Sequence, residues 1–368
     1  MDAKRPTRRG FTLVEILIVI VIIGMLMALA LPAINAARRK AQEAVITTDI
    51  SQLEMALNAY KDEYGDYPPD FFGVSDNSDS IRRPARAAVL RHLRKAYPRM
   101  HVPSNSDPDA AWDELCTHFM LHHPNFSLVD PNDPKKVDFN SLSPASALVF
   151  WLGGLPDAYQ GDSSKQLRGF SPNPEHPFDA TESSSNKLFD FDETRLRGFE
   201  VDDSDPTKSR WKSWPMYSSA KTKIPYVYFK PRTSGSSGRK EYAVDTSGGN
   251  GPMQPFYCKF DVTGAPIVDP QAANAATAEN IAVPYLRDVK LKGAADVSEV
   301  AAERVWNNAD TFQIISPGVD EMFGNQPVGA GAADYRNSRT GDNFSEDDGD
   351  LDNLTNFSEG RLEDGIEE

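Results

Sequence analysis

The chain has 368 residues, 39 basic and 54 acidic side chains, a formal charge of −15, 39% apolar residues and 2 cysteines. An apolar share below the ~45–50% usual for globular domains excludes a protein of many membrane spans. Two cysteines are too few for a disulfide-built scaffold. A surplus of acid opposes broad nucleic-acid coating, which wants a basic face.

The apolar residues are unevenly spread. Phe11 to Leu31 is a run of 21 residues interrupted only by Thr12, Glu15 and Gly24. About 20 apolar residues at 1.5 Å rise cross a ~30 Å hydrocarbon layer, so the run predicts one membrane-spanning helix. Lys4, Arg5, Arg8 and Arg9 precede it and Arg38, Arg39 and Lys40 follow. A secretory signal would have a shorter core of roughly 7–15 residues. Glu15 also sets the run apart, because a carboxylate near the bilayer interior costs about 2.5–3.5 kcal/mol and marks a functional position. The run itself contains no cation to pair with it.

Arg8-Arg9-Gly10-Phe11-Thr12-Leu13-Val14-Glu15 resembles the leader and cleavage motif of type IV pilins and type II secretion pseudopilins. Gly24 and Pro32 also stand where such N-terminal helices carry Gly and Pro. The resemblance implies cutting between Gly10 and Phe11 by prepilin peptidase, and methylation of the new Phe11 amine. It implies that Glu15 meets the Phe11 amine of a neighbouring subunit. The leader's positive charge holds it on the cytoplasmic side, which places the rest of the chain beyond the inner membrane.

Pro32 predicts a break or kink, since it removes one backbone hydrogen bond. Beyond it, Ile46, Ile50, Leu53, Leu57, Tyr60 and Tyr64 form a stripe at spacings of 4, 3, 4, 3 and 4, a one-sided helix. Glu43, Asp49, Gln52, Glu54, Asn58 and Lys61 are expected on its other sides. Gly65 and Pro68-Pro69 end it. Leu57 to Pro69, with its Tyr-rich turn, is similar to the end of the first helix in G-type pseudopilins.

Further on, a short helix is predicted over Pro84–Tyr97 and another over Ala145–Leu152. Strands are predicted over Ile224–Lys230, Tyr242–Asp245, Tyr257–Val262 and Phe312–Ser316, all rich in Tyr, Val, Phe and Ile. Long loops are expected at 70–80, 171–186 and 202–209. The order of one long helix, minor helices and then strands implies an α+β fold with an antiparallel sheet. The predicted organisation is a leader at 1–10, a membrane and filament-core helix at 11–32, and its amphipathic continuation at 33–65. An α+β head at 66–332 and an acidic loop or tail at 333–368 complete it.

Phe312 to Gly324 resembles the last strand and following turn of G-type pseudopilins, in which an acidic loop binds calcium. Asp347, Asp348, Asp350 and Asp352 are the candidate ligands, although their spacing is not that of an EF-hand and an acidic run is commonly a solvated tail. No other cofactor is required. Cys116 and Cys258 either pair in the oxidising compartment or stay as two buried thiols. His118 and His122 stand four apart, as zinc ligands do, but sequence neighbours alone seldom complete four ligands. Ile81–Arg99 holds seven Arg or Lys and no acid. It is read as a solvated helix paired with the chain's own acids, or as a face for DNA or lipid.

No nucleophile elbow, phosphate loop, dinucleotide fingerprint or metalloprotease motif is present, so no enzymatic activity is expected. The resemblance implies a secretion pseudopilin whose partners are other pseudopilin subunits, the inner-membrane assembly platform and secreted cargo. Nucleic acid is not expected among them. The alternatives are a minor pilin for DNA uptake or adhesion, or an anchored surface protein with a pilin-type leader.

Overall fold

The computed structural model describes residues 13–121, 129–130, 133–137, 139–156, 165–178, 187–200, 210–234, 238–245, 253–260, 266–267, 280–288, 305–324, 352–358 and 360–362. Helix α1, Leu13–Tyr64, is a single element of 52 residues. It carries on through Pro32, so the expected break is absent. One missing hydrogen bond is a local loss that the strong helix formers on either side outweigh. The helix closes at Gly65, whose N–H bonds the Lys61 carbonyl at 2.7 Å.

Three shorter helices follow: α2 (Asp79–Ala96), α3 (Pro108–Leu121) and α4 (Ala147–Gly153). Helix α2 starts five residues ahead of Pro84, which lies inside it. Every residue of α4 is buried, as an all-apolar helix requires.

The strand Gln313–Ser316 lies at the centre of a three-stranded sheet, between Leu354–Thr355 and Val227–Phe229. Both pairings are antiparallel, with Ile314 opposite Tyr228 and Ile315 opposite Thr355. Tyr226, Tyr228 and Ile314 face one hydrophobic cluster, while Val227, Phe229 and Ile315 face another. This alternation is the period of two along a strand. Both faces are buried, so Val227–Phe229 reads as an unbroken apolar run, and the central strand buries Gln313 and Ser316 as well as Ile314 and Ile315.

The first cluster joins the α1 stripe to α2, α3 and α4. Ile46, Ile50, Leu53, Leu57 and Tyr60 are all buried, each stabilising by about 1.5–3 kcal/mol. The second cluster lies on the far side of the sheet, around Tyr242, Phe256 and Phe260. A long hairpin, Leu196–Glu200 with Arg210–Tyr217, adds Trp211 and Trp214 to the first cluster. All pairings between strands are antiparallel among the described residues.

Candidate functional site

Helix α1 divides into two halves of opposite character. Residues 13–41 are all exposed, a rod about 43 Å long at 1.5 Å per residue. Its most apolar window has a mean hydropathy of 3.0 and no buried residue. An apolar surface this large is not left in water. Lipid or other apolar helices cover it. Glu15 stands exposed in the first turn of this half. Gly10 and Phe11 lie outside the described residues.

The second half is locked to the head by charge as well as by its stripe. Asp49 is buried and takes both arms of the Arg195 guanidinium, at 3.2 Å and 2.5 Å. The Tyr226 hydroxyl donates to the same carboxylate at 2.8 Å. Arg195 in turn donates Nε to the Ser218 carbonyl at 2.9 Å and lies 4.2 Å from the Tyr217 ring centroid. Burial first, and then the Asp49 charge, pushes the Tyr226 hydroxyl well above its usual pKa, so it stays a donor. Glu43 is also buried, between Lys40 at 3.1 Å and Arg361 at 3.5 Å. Asp49 and Glu43 therefore do not face solvent, as the stripe alone predicted. They lie on its buried side and are compensated by Arg195 and Arg361 from the head and by Lys40 from α1 itself.

The far end of α1 is held by an aromatic and polar cage. The Tyr60 hydroxyl and His92 Nε2 share a hydrogen bond at 2.8 Å, and Trp151 donates to the Pro69 carbonyl at 2.9 Å. The buried Asp70 carboxylate accepts from Arg232 at 2.8 Å and from the Lys230 N–H at 3.0 Å. Burial first, then the Lys230 cation, lowers the His92 pKa from 6.5 to about 3. The folded head thus holds a neutral imidazole, whereas the unfolded chain takes up its proton below about 6.5. Stability from this site is fully present above pH 6.5 and falls as the pH drops toward 3. At pH 5 the loss is about 2 kcal/mol by this linkage. Urea midpoints measured at pH 7 and pH 5 are expected to show it, and His92→Gln to flatten it; an unchanged slope in the variant would assign the acid sensitivity elsewhere.

Of the four calcium candidates, Asp347, Asp348 and Asp350 lie outside the described residues. Asp352 caps the turn after the central strand, its Oδ2 accepting from the Val319 and Asp320 N–H groups at 2.9 Å and 3.2 Å. Gly318 at φ 71° makes this possible, because a Cβ there would lie 2.4 Å from the Asp352 carbonyl oxygen. Asp352 Oδ1 is buried with no hydrogen-bond partner, which suits a hard cation. Calcium needs six to eight oxygens, and among the described residues no group of three acidic, His or Cys side chains gathers. The described residues alone do not hold the ion.

Cys116 and Cys258 are both buried, and no disulfide joins them. Cys116 belongs to the first hydrophobic cluster and Cys258 to the second. The central sheet separates the two clusters, so pairing is corrected to two thiols. Burial pushes the Cys258 thiol up to about 12, which keeps it protonated and unreactive. His122 lies outside the described residues.

The Arg-rich helix proves to be two surfaces. Arg82 and Arg86 bond Asp109 at 3.1 Å and 3.0 Å, and Arg83 bonds Asp107 at 2.8 Å. This half is paired with the chain's own acids at the start of α3, whose first turn begins Pro108-Asp109. Arg91, Arg94, Lys95 and Arg99 are exposed, and none of them makes an ion pair with a described residue.

Residues 5–31 match the family model for the prokaryotic N-terminal methylation motif. The chain is similar to the type II secretion system core protein G of Dickeya chrysanthemi, with 43% identity over 150 residues, 41% of this chain and 81% of that one. With the core protein G of Pectobacterium carotovorum subsp. carotovorum it shares 30% identity over 137 residues, 37% of this chain and 76% of the other. With that of Klebsiella michiganensis it shares 43% over 65 residues, spanning about half of that relative, 46%, and 18% of this chain. No solved structure matches the chain.

Proposed function

Because the chain belongs to the type II secretion system core protein G family, we propose that it is a pseudopilin that leaves the inner membrane to join a short helical filament. The observation that carries this reading is the uncovered apolar half of α1, with the methylation motif at its start. A helix anchored in lipid exchanges one apolar surrounding for another when it packs among copies of itself. The transfer therefore costs little hydrophobic free energy. What must be added is register, and Glu15 supplies it by meeting the Phe11 amine of the next subunit.

Prepilin peptidase is the processing partner. Removal of residues 1–10 takes away four bases and one acid, which releases the chain from the cytoplasmic face where the positive-inside rule holds it. The head then lies outside the cytoplasm, where other pseudopilins, the assembly platform and cargo meet it. The Asp49–Arg195 pair and the α1 stripe make the head and the helix one lever, so that displacement of the helix moves the head. DNA uptake loses support, because half of the Arg-rich helix is neutralised by Asp107 and Asp109.

Gly10→Ala is expected to accumulate as an uncut precursor, since a Cβ at this position obstructs the peptidase site. Immunoblots of membranes would show the slower band only; an equal yield of mature chain would remove Gly10 from the processing step.

A further inference from the structure

Once residues 1–10 are removed, with Lys4, Arg5, Arg8 and Arg9 among them, the bases nearest the apolar run are Arg38, Arg39 and Lys40. They stand on the side of the head. That placement opposes the usual bias, which gathers Lys and Arg on the cytoplasmic side. Lys40 lies 3.1 Å from Glu43 and so serves the head as well. Arg38 and Arg39 do not: both are exposed, and neither makes an ion pair among the described residues.

Their height along α1 is fixed by the helix itself. The run Phe11–Leu31 is about 30 Å long, the thickness of the hydrocarbon layer, so Leu31 marks its outer edge. The exposed Ile34 carries the apolar surface one turn farther. Arg38 is about 6 Å beyond Ile34 and about 10 Å beyond Leu31. Glu43, the first buried residue of the helix, is about 18 Å beyond Leu31. The headgroup region adds about 5–8 Å outside the hydrocarbon. The two arginines therefore emerge level with the phosphates, between the hydrocarbon and the head, and their long stems can lie back along the apolar edge.

Successive residues of a helix are turned by about 100°. Arg38, Arg39 and Lys40 thus ring the helix over about 200° rather than lining one face. A second protein meets a helix from one side, whereas a layer of headgroups surrounds it. The guanidinium fork also matches the oxygens of a phosphate.

We propose that Arg38 and Arg39, with Lys40 beside them, form a collar that binds the phosphate groups of anionic phospholipid in the leaflet facing the head. The collar rests on the membrane anchoring of α1. To the filament reading it adds a polar tie that each subunit breaks on leaving the bilayer. The apolar surface is exchanged at little cost, so this tie is the part of the departure that salt and lipid composition alter.

The mature chain, produced together with prepilin peptidase, is reconstituted into vesicles of equal phosphatidylglycerol and phosphatidylcholine at few copies per vesicle. Lipid retained after mild detergent extraction is counted by mass spectrometry. A base at the surface of an anionic membrane favours it about fivefold, so phosphatidylglycerol is expected to be enriched about fivefold or more. The enrichment is expected to fall to about one in the double variant Arg38→Gln with Arg39→Gln, and to shrink at about 0.5 M salt. Millimolar inorganic phosphate at matched ionic strength is expected to leave it unchanged. Equal enrichment in the double variant, or displacement of the lipid by inorganic phosphate, would overturn the collar. Washing with alkaline carbonate separates the two readings. A chain stripped from the vesicles counts against membrane anchoring itself, whereas a chain that stays but shows no enrichment counts against the collar alone.

Discussion

Replacing Glu15 by Ala is expected to give a chain that is cut after Gly10 and retained in the membrane but missing from filaments. The substitution removes a carboxylate that costs about 2.5–3.5 kcal/mol to hold in lipid. The isolated subunit should therefore insert at least as well as before. In the assembly the balance reverses. The methylated Phe11 amine of the neighbour would be left as an unpaired cation in a low-dielectric core, and breaking one partner of such a pair costs about 3–5 kcal/mol. That corresponds to a loss of roughly two to four orders of magnitude in the association constant. Shearing followed by immunoblotting would separate the two steps. Filaments at unsubstituted yield would show that Glu15 does not set the register.

Asp49→Ala is expected to be a severely damaging single change at the junction of α1 with the head. It strips a bidentate partner from Arg195 and an acceptor from Tyr226 at one stroke. Both charged side chains are nearly buried, at 12% and 14% exposure. An uncompensated charge at such a site costs about 3–5 kcal/mol. For a domain of this size that lowers the melting temperature by roughly 6–12 °C. The double variant Asp49→Leu with Arg195→Met is expected to recover much of the loss, because removing both charges abolishes the desolvation penalty. If the double variant were no more stable than Asp49→Ala, packing rather than charge would be holding the helix to the head.

Much of this architecture is legible in the residues. The motif Gly10-Phe11 with Glu15 and the apolar run needs no tertiary partner to be read. The stripe from Ile46 to Tyr60 and the strands at 227–229, 243–245, 258–260 and 313–316 follow from local period and composition. The lock on α1 was half visible. Asp49 lies three residues after Ile46 and four before Leu53, and Glu43 lies three before Ile46, both on the buried side of the wheel. Their charge masks this place on the wheel. Arg195 is 146 positions away from Asp49, and no local signal joins them.

Other elements were obscured by local contradictions. Gly198, at φ 97°, interrupts the register of its hairpin, and Pro215 stands inside the partner strand. Each reads as a strand breaker in isolation. Tertiary packing of Trp211 and Trp214 overrides them. Helix α3 carries a start signal, Pro108 followed by Asp109, and its one histidine, His118, stands four before His122, a spacing shared with zinc sites. The Arg-rich stretch looked uniform because the acids that neutralise its first half come from 107–109, beyond the helix itself.

The central claim is that this chain is processed at Gly10 and then held by a helix beginning at Phe11. Intact-mass analysis and N-terminal sequencing of the chain extracted from membranes tests it most directly. The account predicts a single mature species that begins at Phe11 and carries one added methyl on its amine. A chain that retains Met1–Gly10, or one cut beyond Leu31 and released from the membrane, would contradict it.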